Sequence, residues 1–261
     1  MTMTMATTPR LHLVDRVNPV SRLAAAMLLT TPLLLTVDWV SAAVALGMQL
    51  VLFAIAGVTP KVLVSRGWPI LIAAPIAGLS MLLYGQPEGT EYWSFWLARI
   101  TDGSIELAVA VTVRVLAIGL PAVLLFMNVD PTELADGLAQ VAKLPSRFVL
   151  GALAGARLVG LFMEDWRAMA LSRRARGIGD HGVIRRFATM AFALLVLAIR
   201  RGSKLATAME ARGFGSDHAR TWARESRVGW PDALLLCIAI GIAVLAIGCA
   251  VWAGTYHAVW A

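Results

Sequence analysis

Charge is scarce in this sequence: Asp, Glu, Lys and Arg make up only 15% of its 261 residues, against 59% hydrophobic. A soluble domain carries about a quarter charged residues, so lipid rather than water is the main solvent of this chain. Cysteine is scarce too. Cys237 and Cys249 both fall inside the last apolar block without metal-ligand spacing, and read as small buried hydrophobes. The four histidines, His12, His181, His218 and His257, are too scattered to hold a metal. No glycine-rich phosphate loop ending in Lys and Ser or Thr is present, and no His-Glu pairing of a metallopeptidase. Asp136 and Gly137 lack the further aspartates of an alcohol phosphotransferase. The chain therefore shows no catalytic residues and no cofactor or metal site.

The apolar residues come in long blocks. Asn18 followed by Pro19 suits an N-cap and first helical position, and the first span is placed near 23–37. The segment ahead of it carries Arg10, Arg16 and Arg22 like a signal peptide, but a second block follows almost at once, which favours a retained span. Asp38 and Trp39 form a tight break before a second span at 40–58, and a short basic loop with Lys61 and Arg66 leads to a third at 68–84. Residues 85–103 are rich in Gly, acids and aromatics, among them Tyr92, Trp93, Phe95 and Trp96, as in a segment lying along the outer membrane surface. A fourth span covers 105–127 and a fifth 233–253. The organisation is thus a transmembrane region over 1–127, a polar region over 128–230, and a last helix and tail over 231–261.

Loop charge gives the orientation. Lys and Arg number three up to Arg22, two after the second span and sixteen from Asn128 to Asp232, but none after the first span and one, Arg99, after the third. The bias toward cytoplasmic positive charge puts the N-terminus and the long segment in the cytoplasm and the C-terminus outside. The net charge of +7 is accounted for by these loops and by anionic lipid, without nucleic acid. Two further apolar stretches, Phe148 to Met163 and Phe187 to Ile199, are read as long cytoplasmic helices. The second has thirteen residues, about 20 Å of helix against a hydrocarbon core of about 30 Å. If both crossed, Arg167, Arg173, Arg174, Arg176, Arg185 and Arg186 would lie outside. The expected fold is an all-α polytopic membrane protein with about five transmembrane helices plus long cytoplasmic helices.

Within the polar region a short pattern occurs twice: Ala175, Arg176, Gly177, Ile178, Gly179, and then Ala211, Arg212, Gly213, Phe214, Gly215. Each copy ends a helical stretch, one starting near Ser146 and the other near Val183, and Asp180 or Asp217 follows closely. Gly past the last turn is a common C-cap, and a cation there is favoured by the exposed carbonyls. A single copy is an ordinary helix end. Two copies thirty-six residues apart suit two arginines presented to two equivalent grooves.

At these residues the sequence resembles the transmembrane T components of energy-coupling factor transporters, which include membrane subunits of cobalt and biotin importers. The paired Ala-Arg-Gly motifs carry the resemblance. It extends to Asn18 and Pro19, to the run Asp130, Pro131, Thr132, Glu133, Leu134, and to Leu144 and Pro145 ahead of the helix with Arg157. The resemblance implies a non-catalytic subunit of the prokaryotic inner membrane. Its partners would be two ATP-binding-cassette ATPases and a substrate-capturing S component that brings a vitamin or metal ion. Ala175, Arg176, Gly177, Ala211, Arg212 and Gly213 would then be the ATPase-coupling residues. Among other classes, a secondary transporter would show internal repeats and polar midplane residues, and an intramembrane enzyme clustered catalytic groups; neither is evident.

The helix after Asp130 has Leu134, Leu138 and Val141 on one stripe. Leu150, Leu153, Leu158, Leu161, Leu194, Val196 and Leu197 are expected to pack helices together or to meet the substrate-capturing subunit, with packing the main role. Arg114, about nine residues into the fourth span, is an intramembrane charge of the kind that is often functional, with Glu106 as a candidate partner.

Overall fold

The computed structural model describes residues 17–36, 38–85, 89–95, 98–177, 182–216 and 221–255. Its element order is α1 (Pro19–Leu35), α2 (Trp39–Ile55), α3 (Pro60–Tyr84), β1 (Glu91–Phe95), β2 (Ala98–Thr101), α4 (Asp102–Phe126), α5 (Pro131–Gln140), α6 (Ser146–Ala175), α7 (Val183–Ala211) and α8 (Trp230–Trp252). Two compact units result. The first combines the chain up to Gly137 with that from Ser226 onward, and the second is Leu138–Glu225.

Local capping sets where the helices of the first unit begin. Asn18 caps α1 by accepting from the Val20 N–H at 3.0 Å, with Pro19 in the first turn. The break at Asp38 is a second cap, whose carboxylate accepts from the Ser41 N–H at 2.7 Å and its hydroxyl at 2.8 Å. Thr101 and Ser104 form a reciprocal capping box at the head of α4. One boundary differs from expectation: Lys61 and Arg66 lie inside α3, because Pro60 starts that helix just as Pro19 starts α1.

The core of this unit is built from small side chains. Ala25, Leu29 and Leu33 of α1, Ala45 of α2, Ala117 of α4 and Ala239, Ile242 and Ala246 of α8 form one buried cluster. Small residues let backbones approach closely where lipid supplies no hydrophobic drive between helices. The α3–α4 pair is tighter still: a Cβ on Gly67 would sit 2.9 Å from Leu120 Cδ2, and one on Gly119 would sit 2.7 Å from Ile70. Between the C-terminal end of α2 and the first half of α8 the core leaves a cavity of ≈ 310 Å³, with Gln49, Leu52 and Ile238 among its lining residues.

The segment read as lying along the outer membrane surface contains a hairpin. β1 and β2 pair antiparallel, with Trp93 opposite Ile100 and Phe95 opposite Ala98. Tyr92, Trp93 and Phe95 in one strand and Ile100 and Thr101 in the other are residue types that favour strands wherever a partner lies close, and composition alone points only to an interfacial segment. Trp96 falls outside the described residues. The Thr90 N–H donates to Asp102 Oδ2 at 3.2 Å, tying the hairpin to the first turn of α4.

In the second unit, α6 has 30 residues and α7 has 29. Val149 is the buried residue of α6 and Met190 that of α7, so both helices expose most of their apolar faces. Leu161 and Val196, expected to pack, are 44% and 52% exposed. By length and composition α3, α4, α6 and α8 each suffice to cross a bilayer, while α1 and α2 are shorter apolar helices. At 17 residues these two reach about 25 Å, which a thinned bilayer accommodates.

Candidate functional site

The two Ala-Arg-Gly copies take the same conformation. Ala175 and Ala211 are the last residues of α6 and α7, and Arg176 (φ −89°, ψ 6°) and Arg212 (φ −92°, ψ 10°) are their C-caps. Gly177 and Gly213 follow in the left-handed region, at φ +70° and +76°. The Gly177 N–H donates to the Arg174 carbonyl at 3.0 Å, and Gly213 N–H to that of Glu210 at 2.9 Å. In the second copy the Phe214 N–H also returns to the Met209 carbonyl at 3.0 Å, which completes a Schellman motif. Ile178, Gly179, Asp180 and Asp217 fall outside the described residues.

This geometry turns both guanidinium groups outward. Arg176, Arg212 and the Ala and Gly flanking each are exposed. Each cation sits at the carbonyl end of a helix, where the backbone dipole favours positive charge. Among the described residues neither side chain has a hydrogen-bond or ion-pair partner. A planar guanidinium left open in this way can grip a carboxylate through two parallel hydrogen bonds.

Contacts between α6 and α7 fix where the two caps lie. Arg201 bonds Asp165 at 2.6 Å, Trp166 and Phe187 meet with ring centroids 5.5 Å apart, and Arg173 donates to the Thr189 hydroxyl at 2.6 Å. Arg173, one turn before Arg176, thus holds the end of α6 beside the first turns of α7, while Arg212 stands at the far end of that helix. From Thr189 to Arg212 is on the order of 30 Å of helix, too far for one small anion to bridge.

Arg114 is held differently. Its Nε and Nη2 atoms are buried and, among the described residues, have no hydrogen-bond partner, and the Asp38 carboxylate at the head of α2 acts on it electrostatically. Glu106 is exposed and lies eight residues away on the same helix, roughly 12 Å along the axis. On α5 the buried residues are Ala135 and Gly137, while Leu134 and Leu138, and Val141 just past its end, are half-buried. Cys237 is exposed on α8, an apolar side chain on a bilayer-spanning helix needing no protein cover. The four histidines fall outside the described residues.

Sequence reading missed a polar cluster at the heads of α1 and α8. The Asn18 N–H donates to Asp232 Oδ1 at 2.7 Å, and the Asn18 amide donates to Ser226 Oγ at 2.8 Å and the Arg227 carbonyl at 3.2 Å. Asp232 also accepts from the Gly229 N–H at 2.7 Å. Asn18 and Asp232 stand 214 positions apart, and nothing local in the sequence signals that the two meet.

The fold is that of an all-α polytopic membrane protein. The family model described as cobalt transport protein, CbiQ, matches residues 12–222, a span that includes both Ala-Arg-Gly motifs, and the chain belongs to that family of transporter membrane components. Curated relatives carry the name energy-coupling factor transporter transmembrane protein. That of Limosilactobacillus fermentum is 28% identical over 60% of this chain and 63% of its own length. That of Exiguobacterium sibiricum is 27% identical over 67% and 71%, and that of Lactococcus lactis is 26% identical over 90% and 92%.

Proposed function

We propose that this chain is the coupling subunit of an ATP-driven importer in a prokaryotic inner membrane. Two ATP-binding-cassette ATPases each receive one motif arginine, and a separate S component in the membrane delivers a captured vitamin or metal ion. The N-terminus and the segment 128–230 face the cytoplasm, and the C-terminus faces outward. The observation that carries this reading is the repeated cap: two exposed arginines, in one backbone conformation, each closing the C-terminal end of its own long helix, α6 and α7. Identical presentation suits two copies of one receptor. The absence of a phosphate loop from the sequence assigns ATP hydrolysis to the partners.

The test is Arg176→Ala, Arg212→Ala and the double change, followed by ATPase co-purification and uptake at equal expression. Losing a charge-assisted contact at an interface costs about 2 to 5 kcal/mol. Each single change is expected to weaken association or coupling, and the double change to abolish uptake while the chain still inserts. Lys rescues only in part, since it keeps the charge and loses the fork. Wild-type uptake by the double variant overturns the proposal.

A further inference from the structure

The chain leaves the first unit at Gly137 and re-enters it at Ser226, and both points converge on one side chain. Asn18 donates through its amide to Ser226 Oγ at 2.8 Å. A Cβ placed on Gly137 would lie 3.1 Å from Asn18 Oδ1, 3.3 Å from Ser226 Oγ and 2.6 Å from Val20 Cγ2, so only a glycine lets α5 lie this close to the first turn of α1. Asn18 is 9% exposed, and the carboxylate it meets, Asp232, is 2% exposed. Asp232 belongs to the first turn of α8, and Asn18 caps α1. One buried cluster therefore binds together the heads of two core helices and both connections to Leu138–Glu225. Within that segment the connections are also tied, by Gln140 Nε2 donating to the Arg224 carbonyl at 2.8 Å.

We infer that Asn18, with Gly137, Ser226 and Asp232 around it, is the joint that transmits displacement of segment 138–225 to α1 and α8. This rests on the coupling function proposed above and names the residues through which the coupling passes. Two connections that ended at separate, loosely held places would absorb a displacement in their own bending. Connections held at one amide deliver it to both helix heads together: the returning chain cannot shift without breaking the Asn18–Ser226 hydrogen bond, and α5 already lies against Asn18 at Gly137 with no room to move closer. Asn suits the position because its carbonyl caps α1 while its NH₂ group holds the returning chain. Asn18 is in this sense a positioning residue.

That double use supplies the test. Asn18→Ser keeps a good N-cap but is too short to hold Ser226 and the Arg227 carbonyl at once. The wild-type chain, Asn18→Ser, Asp232→Asn and Gly137→Ala are each assembled with their ATPase and S-component partners in proteoliposomes, and ATP hydrolysis and uptake are measured together. In all three variants the ATPases are expected to co-purify and hydrolyse ATP. Uptake per ATP is expected to fall at least tenfold in Asn18→Ser and less in Asp232→Asn, which retains one acceptor oxygen. Unchanged uptake per ATP in Asn18→Ser overturns the joint. So does loss of ATPase co-purification in all three variants, which makes the cluster an assembly element. If the wild-type chain itself recruits no ATPase, the coupling function fails rather than the joint.

Discussion

Gly177 and Gly213 show how little the motif depends on side-chain contacts of its own. Among the described residues, a Cβ at Gly177 would meet nothing within 4 Å, and one at Gly213 only Ser216 Oγ at 3.7 Å. What each glycine supplies is a positive φ, which an L-residue adopts at a cost of roughly 1–2 kcal/mol. Gly213→Ala is therefore expected to fray the last turn of α7 and release the Arg212 cap, with uptake reduced severalfold. Gly213→Asn should retain most activity, because Asn tolerates the left-handed region. Uptake assays on the two variants at matched expression distinguish the cases. Equal activity of Ala and Asn shows that the cap conformation does not matter.

At the scale of elements, α3 and α4 pack most closely at Gly78, where a Cβ would collide with Thr112 Oγ1 and approach the Ala108 carbonyl at 3.0 Å. Gly78→Ala is expected to lower the thermal stability of the purified protein by several degrees, and adding Thr112→Ala should return part of it. An unaltered melting point in Gly78→Ala places the helices further apart than described. Most helices were legible from the sequence because their signals are local: Asn18-Pro19 opens α1, and the glycines of the two motifs close α6 and α7. The motif caps were legible for the same reason. The start of α3 was missed although Thr59-Pro60 repeats the Asn-Pro signal, since Lys61 and Arg66 drew attention as loop charges. The hairpin and the Asn18–Asp232 cluster were not legible, because each depends on which distant segments the fold brings together.

For the whole molecule the decisive element is α6, which has the length and composition of a span although loop charge argues that it does not cross. As a span it would take Arg157 deep into the hydrocarbon, where an Arg costs about 2.5 to 3.5 kcal/mol on insertion scales. It would also carry Arg167, Arg173, Arg174 and Arg176 to the outer face, against the bias that orients the other loops. Kept on the cytoplasmic side, both of its ends and both ends of α7 share one compartment. Leu144, Ser172, Ser203 and Ser216 are exposed positions around these two helices. Replaced singly by Cys in a version whose Cys237 and Cys249 are changed to Ser, each should resist an impermeant thiol reagent in intact cells and react once the membrane is permeabilised. Labelling at position 172 from outside, with position 144 shielded, means that α6 crosses the bilayer. The first motif arginine would then face away from any cytoplasmic ATPase, so this one pattern of labelling would remove both the five-span arrangement and the coupling role built on it.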